Sequence, residues 1–200
     1  MFGKVLSSFG IGGPTVQADI DRPEVTLGEN IVGTLHIKGG SVDKTINGIY
    51  IDLLTRVEWE QNEQRFEEYR TIQSVLVCDA FQLQANSAHQ LRFAVPCPLH
   101  TPIYLDGGRE QTWLKTRMDV SLAVDAGDLD LIRVHPAPVM IKALNSLISL
   151  GFSLTKMDVE HRPSWHGGTG FVQEFEFRPT TYANRRFDEV EMVFQPHAPH

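Results

Sequence analysis

Cysteine is scarce. The 200 residues hold only Cys78 and Cys97, too few for a disulfide framework, which points to two buried thiols in a cytoplasmic protein. No apolar stretch reaches the ~18 residues of a membrane helix, so no membrane span is expected. Positive charge is also in short supply: 18 Lys and Arg against 25 Asp and Glu leave a formal net charge of −7. Nucleic acid and anionic membrane both need a basic footprint. The one obvious basic spot is Arg185-Arg186, so neither is expected as a partner. Residues 1–8 carry a single Lys and too short an apolar core for a signal peptide. Glycine stands at position 3 instead of 2, which removes the myristoylation pattern.

The usual signatures of catalysis are missing too. There is no Gly-x-Ser-x-Gly elbow, so the glycine run His166-Gly167-Gly168-Thr169-Gly170 has no nucleophile to serve and reads as a loop between strands. Gly10-Ile11-Gly12-Gly13 lacks the Lys-Ser/Thr ending of a phosphate loop, and no strand precedes it. Eight histidines invite a metal reading. However, His161 and His166 straddle Pro163, His197 and His200 lie at the end, and no spacing matches a closed zinc site. The charged segment 58–70 alternates in sign without a glycine turn to gather its carboxylates, so it reads as a solvated hairpin tip. No catalytic residue, metal or cofactor is expected.

What the chain does have is alternation. Ile31, Gly33, Leu35 and Ile37 share one parity against Asn30, Val32, Thr34, His36 and Lys38; Ile49, Ile51, Leu53 and Val57 share another. Period two with β-branched residues marks half-buried strands. Gly28 and Gly39-Gly40 read as positive-φ positions bounding the first strand. Further strands are expected over 16–20, 70–78, 89–95, 112–125 and 128–134, with Phe81 and Leu83 after a short break and with Leu114, Thr116, Met118, Val120, Leu122 and Val124 on one face. Residues 1–14 read as an amphipathic turn or two. Three prolines within 96–102 exclude a central strand and mark a crossing between sheets. Many short strands without a long helix imply an antiparallel β-sandwich over residues 1–134. Leu35, Ile37, Ile51, Leu53, Leu122 and Val124 are the expected core between its sheets.

His135-Pro136-Ala137-Pro138 reads as a stiff linker over 135–138. An amphipathic helix over 138–150 follows, with Met140, Leu144, Leu147, Ile148 and Leu150 on its packing side and Gly151 as its stop. Strands over 152–160, 171–178 and 189–195 complete an apparently incomplete second β domain, 139–200.

Several stretches together resemble a known family. Leu27-Gly28-Glu29, Gly33, Gly39-Gly40 and the strand 49–53 resemble the opening of an arrestin-like domain; Val95-Pro96-Cys97-Pro98 with Thr101-Pro102 resembles its proline-rich crossing. The stretches 113–120, 125–136, 161–165 and 173–179 are similar to the bacterial sporulation-control (SpoOM-like) family. That resemblance spans nearly the whole chain. It implies an arrestin-like fold and a non-enzymatic regulator of developmental or cell-division decisions, acting through protein contacts.

Three strands and one helix provide little cover for the apolar side of the second unit. Phe171, Phe175, Phe177, Val190, Met192 and Phe194 are therefore the candidate interaction surface, and a homodimer through residues after Gly151 is expected. The alternative is an enzyme with an interdomain site built from Glu174 and Glu176 or His161 and His166.

Overall fold

A computed structural model describes residues 5–7, 12–121, 126–162, 170–181 and 186–195. Its elements run β1 (Val5–Ser7), β2 (Thr15–Ile20), β3 (Glu24–Thr26), β4 (Asn30–Lys38), β5 (Lys44–Gln61), β6 (Gln64–Cys78), β7 (Phe81–Leu83) and β8 (Ala88–Pro96). They continue with β9 (Thr112–Val120), β10 (Ala126–His135), α1 (Pro138–Ser149), β11 (Phe152–His161), β12 (Phe171–Pro179) and β13 (Val190–Val193).

The alternation in β4 and β5 becomes the interior. Ile31, Gly33, Leu35 and Ile37 are all buried, as are Ile49, Ile51, Leu53 and Val57. Leu114, Met118 and Val120 of β9 join them. Leu122 and Val124 lie outside the described residues. The smaller sheet, β2-β4-β8, packs this face against a larger sheet ordered β1-β10-β9-β5-β11-β12-β13, with β3 on β10 and both β6 and β7 on β5. The β5–β6 hairpin closes at Gln61↔Gln64. Asn62 (φ 53°) and Glu63 (φ 61°) form its tip, both left-handed, which suits the right-handed twist of a two-residue hairpin. Along the flanks Trp59 stacks on Phe66 at 5.5 Å, and Tyr69 meets Trp113 edge-on at 5.1 Å.

Four expectations need correction. Residues 5–7 form a strand on β10 instead of a helical turn; backbone pairing there satisfies more groups than an isolated turn could. The sandwich is not purely antiparallel, since β3 runs parallel to β10 and β11 parallel to β5. Gly28 has the expected positive φ of 84°, but Gly39 and Gly40 do not. Crowding requires those two: a Cβ on Gly39 would stand 2.0 Å from the Gln84 carbonyl oxygen, and one on Gly40 2.4 Å from that of Gly12. Gly39→Ala should accordingly cost about 1–3 kcal/mol, the usual penalty of overpacking. It would appear as a lower denaturation midpoint at constant m-value, and an unchanged midpoint would mean that residues 84–87 are not seated on this glycine.

The fourth correction concerns α1. Pro138 at its start and Gly151 (φ 87°) after its end bound it as read. Only Met140 and Leu144 are buried, however, while Ile148 and Leu150 are exposed together with Val139 and Ile141. The apolar arc is wider than the surface available to cover it.

The proline-rich crossing is pinned at both ends. Gly28 N–H donates to the Cys97 carbonyl and Cys97 N–H to that of Glu29. Burial pushes the Cys97 thiol up to about 11. Farther on, Ile103 is fully buried and Tyr104 N–H donates to the Val134 carbonyl at 2.7 Å.

Candidate functional site

The end of the large sheet, β11-β12-β13, carries the residues singled out as an interaction surface, with Phe194 one residue past β13. β9 accompanies β5 as far as Thr55↔Thr112. Just beyond, Glu58 meets Glu160 of β11, so the second unit continues along the edge that β9 leaves. β11 and β12 then pair over ten residues with a bulge between Leu154 and Lys156, and β13 pairs with β12 from Glu174↔Val193 to Phe177↔Val190.

The register sorts side chains onto two faces. Leu154, Met157, Phe175, Phe177, Val190 and Met192 share the inner face. Lys156, Asp158, Glu174, Glu176 and Glu191 share the outer. Phe171, Phe175 and Phe177 are buried. Phe175 and Phe177 belong to the same hydrophobic cluster as Leu53, Leu114, Met140 and Phe152, while Phe171 packs with Val57 and Val159. The three β12 phenylalanines are therefore covered by the chain itself, and the shortage of cover inferred from strand count is not observed. Val190, Met192 and Phe194 remain half-buried, with Phe194 edge-on to Phe175 at 5.6 Å.

Gln173 has a structural role that its sequence position conceals. It stands on the inner face between Phe171 and Phe175. Its Oε1 accepts from Ile103 N–H and its Nε2 donates to the Ile103 carbonyl, both at 2.8 Å. One side chain thus supplies the two bonds that a neighbouring strand would give, and ties β12 to the crossing segment.

The outer face is acidic and largely ion-paired. Lys156 contacts Asp158 at 2.5 Å, Glu176 at 3.0 Å and Glu160 at 3.6 Å; Asp158 first, with Glu176, holds its ammonium above the usual lysine range. Arg162 pairs with Glu174 and Arg178 with Glu189, each at 3.3 Å. A groove of about 210 Å³ opens where this face meets the β5–β6 hairpin, lined by Glu58, Trp59, Glu60, Arg65, Lys156, Asp158 and Glu160. Across β12 and β13, Glu176 stands directly opposite Glu191.

Burial raises the Glu174 carboxyl; Glu160, Glu191 and Glu176 add to that, and Arg162 opposes it. A raised folded value means that Glu174 contributes stability fully below the ordinary value of 4.5 and loses it as pH rises through the folded one. Wild-type stability should therefore fall relative to Glu174→Gln between pH 4.5 and neutrality. Parallel pH–stability curves for the two proteins would contradict this.

As an acid/base pair, Glu174 and Glu176 are poorly equipped. Each accepts from a cation, and among the described residues no hydroxyl, thiol or imidazole is hydrogen-bonded to either carboxylate. His161 lies 6.4 Å from the Trp59 ring; His166, His197, His200 and Arg185 lie outside the described residues. Among the described residues no three His, Cys, Asp or Glu side chains gather as metal ligands, and no helix is long and apolar enough to cross a membrane.

Comparisons with known proteins agree with this architecture. The chain is 34% identical over 194 residues to the sporulation-control protein spo0M of Bacillus subtilis strain 168, covering 96% of the chain and 74% of that protein. It superposes on the crystal structure of Spo0M from Bacillus subtilis with a TM-score of 0.86 and 33% identity, covering 94% of this chain and 76% of that one. The fold is thus mainly β and arrestin-like. The SpoOM protein family model matches residues 2–200, and the chain belongs to that family.

Proposed function

We propose that this chain is a non-enzymatic regulator in the control of sporulation or related developmental and division decisions, acting in the cytoplasm through protein–protein contact. Family membership supports the regulatory role. The observation that supports the mode of action is the end of the large sheet: β13 pairs with β12 on one side, and none of the described residues pairs with its other side. A strand edge of this kind is a template for an added strand. A second copy of the chain is one possible occupant of that edge, as in the homodimer inferred from the sequence.

Affinity purification from the native host, with wild type and Met192→Pro in parallel, tests this reading. Proline removes a backbone N–H and a residue's capacity to pair. The expected result is a partner retained by wild type and lost by the variant while the far-UV spectrum is unchanged. A partner retained equally by both would move the contact away from β13. Turnover of a hydrolase substrate panel that vanishes in Glu174→Gln would favour the enzymatic alternative.

A further inference from the structure

We infer that the outer edge of β13 receives an extended basic segment of another protein, alternating apolar and cationic residues, in preference to a second copy of this chain. This inference rests on the protein-contact reading above and specifies the partner. The starting point is an edge with which none of the described residues pairs, and the residues along β13 select what can occupy it.

In register, Glu191 lies opposite Glu176 and Val190 opposite Phe177. Glu189 and Glu191 therefore project on the side of Glu174 and Glu176, while Val190, Met192 and Phe194 project toward the hydrophobic cluster, on which they pack. A strand added beyond β13 places its side chains alternately beside these two sets. On the inner side it meets Val190 and Met192, which favours apolar residues. On the outer side it meets exposed Glu191 and half-engaged Glu189, with Glu174 and Glu176 behind them. Three cations of the described residues on this side are committed: Lys156 to Asp158, Glu160 and Glu176, Arg162 to Glu174 and Arg178 to Glu189. Among the described residues Glu191 has no ion-pair partner, and it adds to the forces that raise Glu174. Lys or Arg at alternate positions of the incoming strand would supply the missing charge.

The same pattern disfavours self-association. In a two-fold antiparallel pairing of β13 with itself, directly opposed residues share a face. Centring the pair on Val190 keeps both apolar sides together but sets Glu189 against Glu191, and centring it on Glu191 sets that residue against itself. Like charges directly opposite are destabilising. A one-residue shift turns the apolar side of one copy to the outer face of the other, and centring the pair on Met192 sets Glu191 against Val193, which removes the clash but still brings no cation to the outer side.

The test uses the whole 200-residue chain and three short fluorescent peptides: alternating Lys-Val, alternating Glu-Val, and alternating Lys-Pro. The Lys-Pro peptide keeps the charge but cannot form a ladder. Anisotropy titrations should show Lys-Val binding roughly tenfold or more tighter than either control, with amide-exchange protection appearing at residues 190–193. Glu191→Lys, an exposed change that leaves the fold intact, should lose that preference and gain affinity for Glu-Val. Equal binding of Lys-Val and Lys-Pro would indicate diffuse attraction to an acidic protein and overturn the inference. So would a doubled mass in light scattering with residues 190–193 protected before any peptide is added; that result would leave protein contact at β13 standing, with a second copy as the partner. Failure of all three peptides to bind a monomer whose β13 amides exchange freely would also overturn it. The purification with Met192→Pro would still decide whether β13 contacts a protein at all.

Discussion

Replacing Phe177 by Ala should destabilise the whole chain by about 3–5 kcal/mol, the range for emptying a large aromatic site in a packed interior. The side chain is fully buried. Its cross-strand neighbours are Leu154 on β11 and Val190 on β13, and its hydrophobic cluster runs without a break into Leu53 and Leu114 of the sandwich. Because the interior is shared, the loss should appear in one cooperative transition, with tryptophan fluorescence of the sandwich and far-UV ellipticity shifting together. Independent units joined by the 135–138 segment would behave differently. The second would melt early and leave the first at its wild-type midpoint. Two separated transitions in Phe177→Ala would therefore restore the reading of two domains joined by a stiff linker. As a comparison, Phe66→Ala removes a ring that is already exposed at the hairpin and should cost no more than about 1.5 kcal/mol, the worth of its stacking on Trp59.

That experiment also marks the boundary between what could and could not be read from sequence. The faces of β4, β5 and β9 were legible because a strand with one side buried writes its burial directly into alternate positions. Pro138 and Gly151 marked the ends of α1 by backbone restrictions that act within a few residues. The same local logic identified Phe175 and Phe177 as apolar-face residues of β12. It could not say what lies over that face, because the answer depends on β11 continuing the edge of β5 beyond β9. That junction comes down to one register pair, Glu160↔Glu58, within a stretch whose charge pattern reads as a solvated tip. Nor could it separate glycines needed for φ from glycines needed for space: Gly28 and Gly39 look alike in sequence, and the positive φ of the one and the Gln84 carbonyl beside the other distinguish them. The alternation Glu189, Val190, Glu191, Met192 is plain in the sequence, but whether that strand is the last in its sheet is a property of the assembled fold.

Gln173 shows the same limit from the polar side, and its removal is the other large effect expected. A glutamine on the apolar parity of a strand reads as a wet position or an interruption. Here its amide stands in for a missing backbone partner. Ile103, with its side chain fully buried, lies in the crossing segment, and Gln173 satisfies both its N–H and its carbonyl at 2.8 Å. Gln173→Leu keeps the approximate volume and removes both bonds. A buried donor or acceptor left without a partner costs about 1–3 kcal/mol, so losing two should cost about 2–6 kcal/mol unless water enters. The position of the loss matters as much as its size. Ile103 immediately precedes Tyr104, whose N–H is held by Val134 at the end of β10, and β12 carries β13 on its other side. Amide exchange should therefore accelerate at Ile103 and along β12 together, with β2, β4 and β8 unaffected at temperatures well below the midpoint. Gln173→Glu should fare no better, since a carboxylate cannot donate to the Ile103 carbonyl and would place a charge at a half-buried position. If Gln173→Leu matches wild type in both midpoint and exchange, then apolar packing alone joins β12 to the crossing, and the paired amide bonds contribute nothing measurable.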